Sequence, residues 1–320
     1  MHTIALEEHY ATQALLDAPT VSRQFDIGSF PQMKANLFDL DAGRIAAMDA
    51  AAIDLQVLSL MAPGLEQFDA ADAIAIARDA NDQLGAAVLR HPARFAGFAA
   101  LPSPEPEAAA DELERTVQVY GFKGGQISGH IRGRYLDDQF FWPILERAEA
   151  LQVPLYLHPS PPPRAVIEAI YSGFTPQITA LLASGGFGWH VDTALHVLRL
   201  ILGGAFDRYP GLQVIVGHQG ETLPFMLPRF DIAFPSQATR LARPVSAYLR
   251  ENVHYTFGGF NWTPAFLDLL LQVGVDRIMF STDYPFASMA AARSFLDQLP
   301  VSPVDRERIA HGNAERLLRL

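Results

Sequence analysis

A carboxylate and an imidazole two residues apart, Glu7 and His9 in Leu6-Glu-Glu-His-Tyr10, form the first pair in the chain able to share an ion. Along a strand, alternation points Glu7 and His9 to one side and Glu8 to the other. Glu-x-His by itself is equally compatible with a surface or structural role. Its significance comes from His158 in Tyr156-Leu-His-Pro159, His218 in Val216-Gly-His-Gln-Gly-Glu221, and Asp283 in Phe280-Ser-Thr-Asp-Tyr-Pro-Phe286. Each follows a short apolar run, and each has an ordinary alternative: a buried histidine bonded to backbone, a helix N-terminal residue and an N-cap, respectively. Taken together, four strand ends carry imidazole or carboxylate, a donor set that suits Zn²⁺ or Mn²⁺. The chain has no cysteine, so thiolate ligands and disulfides are excluded.

For these side chains to meet, the strands that carry them must end at one place. Short β-type runs recur at 3–8, 55–60, 95–101, 122–127, 153–157, 213–217, 253–257 and 277–281, mostly with helical patterns between them. Eight such units predict an α/β fold, one (β/α)₈ barrel domain over residues 1–320, with its site at the C-terminal strand ends. Residues 69–90 place Ala73, Ile76, Ala77, Ala80, Leu84 and Val88 on one stripe, and 105–119 opens on Glu-Pro-Glu and continues through Leu113 and Val117; both stripes should face the barrel. Two connections are unusually long: 10–40 after the first strand, and 159–190 after the fifth, with Pro159-Ser-Pro-Pro-Pro163 and Ser184-Gly-Gly186. Both are expected to be lids over the site or oligomer contacts.

At 320 residues and 49% hydrophobic content the chain can bury a large core. A formal charge of −11 argues against a nucleic-acid partner, because phosphate tracking depends on Lys and Arg. Residues 1–9 hold no basic segment followed by an apolar one, and no stretch approaches the ~20 apolar residues of a spanning helix. The expectation is a soluble cytoplasmic protein with no membrane partner.

Five segments then carry a family resemblance over nearly the whole chain: Ala5-Leu-Glu-Glu-His9; Ile127-Ser-Gly-His130 with Arg134-Tyr-Leu-Asp-Asp138; Tyr156-Leu-His-Pro159; Val216-Gly-His218 with Gly220-Glu221; and Ile278-Met-Phe-Ser281 with Asp283-Tyr-Pro-Phe286. The sequence resembles the decarboxylase branch of the amidohydrolase superfamily, which includes γ-resorcylate, 2,3-dihydroxybenzoate and 5-carboxyvanillate decarboxylases. That resemblance implies a TIM barrel of amidohydrolase type, Glu7, His9, His158 and Asp283 as metal ligands, and His218 with Glu221 just beyond the metal. It also implies a homodimer or homotetramer, with Arg229 in substrate or subunit contacts, the alternative being a salt bridge to Asp231; Arg44 matches a family position too, but its place in a helical pattern favours a structural role. A second metal would need a carboxylated lysine or a glutamate at the fourth strand; Lys123 lies near the start of Phe122-Lys-Gly-Gly-Gln-Ile-Ser128 and no acid follows, so one divalent ion is expected. Trp189-His-Val-Asp-Thr193 resembles the family's Trp-His-x-Glu-Thr, with Asp192 one methylene shorter, and Phe257-Gly-Gly259 and Leu227-Pro-Arg229 depart from the γ-resorcylate forms. The substrate therefore need not be γ-resorcylate. The apolar helix from His190 through Leu202 either packs on the barrel or joins subunits.

The implied reaction is metal-dependent, non-oxidative decarboxylation of a hydroxylated aromatic acid of ortho-hydroxybenzoate type. In that chemistry the ring carbon is protonated before CO₂ leaves. Asp283 is expected to deliver the proton, His218 with Glu221 to tune or replenish it, and the metal with Arg229 to hold the oxygens. A rival reading keeps the metal but hydrolyses an amide or lactone with a bound water; a non-enzymatic reading keeps only a ligand-binding scaffold. Fold alone does not separate them.

Overall fold

The computed structural model describes residues 1–22 and 29–320. Its sheet runs strand by strand in chain order: β1 (Ile4–Tyr10), β2 (Leu55–Leu60), β3 in two pieces (Phe95–Gly97 and Ala99–Ala100), β4 (Gly125–Ser128), β5 (Leu155–His158), β6 (Val214–Val216), β7 (Val253–Thr256) and β8 (Ile278–Met279). All pairings are parallel. At Phe98 the third strand breaks, and the Phe98 N–H donates to Leu58 O at 2.8 Å. The ring closes where Leu6 N–H donates to Phe280 O at 3.1 Å and Leu6 bridges Ser281. The expected eight-stranded barrel is therefore present, with the run 95–101 interrupted and the fourth strand starting at Gly125. Lys123 precedes that strand and donates to Arg319 O at the N-terminal face.

Two apolar layers hold the barrel. Ile4, Leu6, Val57, Ala96, Phe98, Tyr156, Ile215 and Met279 fill its interior, and Ala314 and Leu318 of the C-terminal helix Asn313–Leu318 pack against them from below. Outside, the helices bury their stripes: in Ala70–Arg90 the buried positions include Ala73, Ile76, Ala77, Ala80 and Leu84, with Val88 half-buried. Pro106–Tyr120 starts on proline, whose missing N–H costs nothing there, and stops at Gly121, which takes the left-handed conformation at φ +69°. Among the described residues no helix is long and apolar enough to cross a membrane.

Of the two long connections, 159–190 carries the helix Pro176–Ala183 and leads into Gly188–Leu202. That second helix buries Val197, Leu200 and Ile201 against the barrel while leaving Leu195 exposed. The connection 10–40 buries Leu15, Val21 and Leu37; the part of the lid expectation that falls on 23–28 lies outside the described residues.

Behind β1, Arg44 is wholly buried, which accounts for its place in the pattern. Its Nη2 donates to His9 O at 2.7 Å and Asn36 O at 2.9 Å, Nε to Asp39 O at 2.7 Å and Nη1 to Gln56 Oε1 at 3.3 Å, with Tyr284 beneath the guanidinium. Glu8, equally buried, accepts from Thr282 N–H at 2.8 Å, Thr282 Oγ1 at 2.6 Å and Gln56 Nε2 at 3.0 Å. Removing the guanidinium leaves the His9, Asn36 and Asp39 carbonyls without this donor. Arg44→Ala is expected to destabilise the fold by ~3–5 kcal/mol, read as a fall in Tm of roughly 10 °C. A melting curve superimposed on that of the parent protein would refute this role.

Candidate metal centre

β1 presents two candidate ligands to the interior because it is bulged. Ala5 pairs with Gln56 and Glu8 with Leu58, so Leu6 and Glu7 together oppose one residue, and Glu7 adopts φ +64°. Ile4 and Leu6 face the interior layer and Ala5 and Tyr10 the outer one. Uninterrupted alternation from Leu6 would send Glu7 and His9 outward. The extra residue resets the phase, so Glu7 and His9 point in and Glu8 points out to Thr282.

Inside, His9, His158 and Asp283 each offer a ligand atom, all within 4.8 Å of one another. His9 Nε2 is 3.2 Å from Asp283 Oδ1, yet neither ring nitrogen of His9 has a hydrogen-bond partner. Glu7 stands beside this trio, with Oε1 3.7 Å from His158 Nε2 and 3.6 Å from His218 Nδ1 and without a hydrogen-bond partner. Its Oε2 accepts from Thr256 Oγ1 at 3.1 Å, and Thr256 accepts in turn from Tyr156 OH at 3.0 Å. His158 donates Nδ1–H to Pro159 O at 2.8 Å, which leaves the Nε2 lone pair facing the cluster. Three glycines make room: a Cβ on Gly217 would lie 2.5 Å from Glu7 Oε1, on Gly258 2.6 Å from Glu7 Oε2, and on Gly259 2.9 Å from Asp283 Oδ2.

The electrostatics are those of a site built around a cation. Burial keeps His9 and His158 neutral, His9 down to about 3, with like-charged His218 adding to the effect. Burial also raises the Glu7 and Asp283 carboxyls, each to about 7, against the pull of His218. Two converging carboxyls in an apolar interior ionise readily only when a positive charge sits between them. Orphaned acceptors, neutral imidazoles and glycine-cleared carboxylates fit one divalent ion, and Glu7, His9, His158 and Asp283 are the residues that would hold it.

Beside the trio lies a second constellation. Glu221 bridges two imidazoles, accepting from His218 Nδ1 at 2.6 Å through Oε1 and from His190 Nδ1 through Oε2. Both carboxylate oxygens of Glu221 are thus engaged in hydrogen bonds. Burial opposes charge on either partner, but Glu7 and Glu221 hold His218 protonated up to about 10, and His218 with His190 hold Glu221 down to about 2. The backbone is unusual here: residues 218–222 all have positive φ, only one of them glycine. Such strain clusters where side chains must be aimed. His218 is thus part of a left-handed turn, the helix beginning at Leu223, and Asp283 is no N-cap, since Ser288 caps the following helix.

A cavity of about 210 Å³ opens onto the cluster, lined by Met61, Ala62, Pro63, Pro161, Trp189 and Phe286 with His158, His218 and Asp283. At roughly 30 Å³ per water, it has room for a single ring. Pro161 and Trp189 come from the long connection after β5; no described residue of 10–40 lines the cavity. Arg229 does not reach it. It is exposed on the helix Leu223–Ala233, without an ion-pair partner among the described residues, and Asp231, its expected alternative partner, accepts from Ser246 N–H instead. His130 is taken up by Gln67 and Gly133, and Asp192 accepts from Tyr135 OH at 2.6 Å.

The amidohydrolase family profile matches residues 33–320. The chain belongs to the amidohydrolase family. It is 38% identical to the γ-resorcylate decarboxylase of Polaromonas sp., over 99% of this chain and 98% of that protein. Among solved structures, the dihydroxybenzoic acid decarboxylase of Polaromonas sp., with bound manganese and the inhibitor 2-nitroresorcinol, matches at TM-score 0.91 and 37% identity, covering 100% of this chain and 97% of that one. The 5-carboxyvanillate decarboxylase of Novosphingobium aromaticivorans, with manganese and 4-hydroxy-3-methoxy-5-nitrobenzoic acid, matches at TM-score 0.91 and 34%, covering 100% and 96%.

Within this amidohydrolase, sequence reasoning missed the cavity walls at Met61–Pro63 and Phe286, the clearing role of Gly217 and Gly258, and the link from Glu221 to His190. Glycines just past two strand ends, in Val216-Gly-His218 and Phe257-Gly-Gly259, were the available signals for the clearance, because glycine lets other groups approach the backbone closely.

Proposed function

We propose that this chain catalyses metal-dependent, non-oxidative decarboxylation of a single-ring ortho-hydroxybenzoate, with Glu7, His9, His158 and Asp283 holding one Mn²⁺ or Zn²⁺. The observation that carries the reading is that Asp283 and His218, the latter hydrogen-bonded to Glu221 at 2.6 Å, both line one largely apolar cavity. A bound divalent ion supplies positive charge that orients the carboxylate and ortho hydroxyl. Apolar walls from Pro63, Trp189 and Phe286 hold the ring and exclude water. Asp283 delivers a proton to the carbon bearing the carboxylate; the new C–H bond forms with ring electrons. The carbon–carbon bond then breaks, its pair restores aromaticity, and CO₂ leaves. His218, kept charged by Glu221, returns a proton to Asp283.

Subunit association completes the proposal. Phe225 is 77% and Ile232 71% exposed, and both share an exposed face of the helix Leu223–Ala233 with Arg229. Exposed Ile170, Phe174 and Leu181 extend the apolar surface. This supports a homodimer or homotetramer with Arg229 in the contact, and with no such role in its own chain's cavity.

The test incubates manganese- or zinc-loaded protein with a panel of ortho-hydroxybenzoates, amides and lactones. CO₂ release from at least one hydroxybenzoate, abolished by chelation, is expected. Hydrolysis of a lactone or amide without CO₂ release from any acid would overturn the assignment.

A further inference from the structure

At the opposite end of the barrel from the metal centre lies a larger cavity, about 410 Å³, lined among others by His254, Arg277, Arg316 and Arg319. It sits where the C-terminal helix meets the starts of β7 and β8. Each guanidinium uses one of its three nitrogens, and only on neutral acceptors. Arg277 Nη1 reaches Gln213 Oε1 at 3.3 Å and His254 Nε2 at 3.0 Å; Arg316 Nη2 donates to Asp276 O and Asn313 Oδ1, both at 2.9 Å; Arg319 Nη2 donates to Gln152 Oε1 at 2.8 Å.

Two carboxylates also line the cavity. Glu149 is engaged by Gly211 N–H at 2.6 Å, and Asp276 lies 3.8 Å from Arg308. Neither forms a salt bridge with the three arginines among the described residues, so three guanidiniums face two carboxylates in this lining, in a protein of net charge −11. His254 Nε2 lies 3.0 Å from both Arg277 Nη1 and Gln213 Oε1, and its Nδ1 is buried without a hydrogen-bond partner. Burial and the neighbouring arginines keep that ring neutral, and burial together with Arg316 makes Arg277 less basic than usual against the opposing pull of Glu251 and Asp276.

We infer that this cavity binds a small phosphate-bearing anion, inorganic phosphate or a phosphate monoester, between the C-terminal helix and the barrel floor. Guanidinium forks match phosphate oxygens in pairs, and three of them supply a dianion's need for donors. The volume corresponds to roughly a dozen waters at about 30 Å³ each, enough for a phosphate carrying an organic group. Bound there, the anion ties Arg316 and Arg319 of the terminal segment to Arg277 ahead of β8.

The experiment uses the full, metal-loaded protein at constant ionic strength. Inorganic phosphate and adenosine monophosphate are titrated by calorimetry, and melting is followed in phosphate, succinate and chloride. Phosphate should raise Tm above chloride, and the double variant Arg316→Gln/Arg319→Gln, whose side chains are exposed and far from the reaction, should lose at least about tenfold in affinity while decarboxylating as before. Tighter binding of the nucleotide marks a monoester ligand, and equal binding marks free phosphate. Phosphate affinity unchanged in the double variant, stabilisation by chloride equal to that by phosphate, or succinate binding as tightly as phosphate each overturns the inference. Arg277→Gln, tested alongside, should also lose binding, but the exposed pair decides the outcome if that variant fails to fold.

Discussion

Asp283→Asn should stop turnover while the protein still takes up metal. The exchange is nearly isosteric, and asparagine tolerates the φ of +63° that residue 283 requires. Gly259 clears the space beside Oδ2, so the amide fits where the carboxyl sat. What disappears is the transferable proton. Loss of a positioned acid costs on the order of 10²–10⁴ in rate, and the upper part of that range is expected because protonating an aromatic carbon is the difficult step. Glu7, His9 and His158 remain, so metal analysis should find the ion bound, more weakly than before.

Stability provides a second readout with a definite sign. Burial raises the Asp283 carboxyl from 3.8 to about 7, so in metal-free protein its contribution is favourable below pH ~4 and is lost as pH rises through about 7. Metal-free Asp283→Asn should therefore melt above the parent at pH 8, and metal loading should reverse the order. Parent-like turnover in the variant would remove Asp283 from the role of acid.

The candidate site was legible in the sequence because barrels concentrate chemistry at strand ends, where Glu7-x-His9, His158, His218 and Asp283 stand out against apolar runs. The bulge was not legible. Nothing in Ile-Ala-Leu-Glu-Glu-His marks an extra residue, and the inward placement of Glu7 and His9 depends on it as much as on alternation. The break at Phe98 was invisible for a similar reason: Phe95-Ala-Gly-Phe-Ala-Ala100 is apolar throughout, and only hydrogen bonding to Leu58 distinguishes its two halves. Arg229 shows a different limit. Its family position was readable, but the direction a helical side chain faces follows from packing, and here Leu227 and Phe230 turn inward while Arg229 faces out. His190 lay in a recognised segment, yet its partner, Glu221, is thirty-one residues away, a distance no periodicity spans.

That contact leads to the other large effect. Glu221→Gln should lower kcat by ~10²–10⁴ with little change in KM, because Glu221 is buried behind His218 and does not line the cavity. The carboxylate has one oxygen for each imidazole; an amide offers a single acceptor, and its NH₂ must face the other ring. Burial then weighs more heavily on His218, whose proton is lost at lower pH. The alkaline limb of the kcat profile should consequently shift towards acid.

Linkage fixes where stability responds. His218 is raised from 6.5 to about 10, so its contribution is complete below pH 6.5 and lost as pH rises through about 10; Glu221 is lowered from 4.5 to about 2, so its contribution is complete above pH 4.5 and lost as pH falls through about 2. The difference in Tm between the parent and Glu221→Gln should be widest between pH 4.5 and 6.5 and narrow on either side. If the alkaline limb stays where it was and only Tm falls, Glu221 is a structural brace, and His218 draws its charge from Glu7 alone.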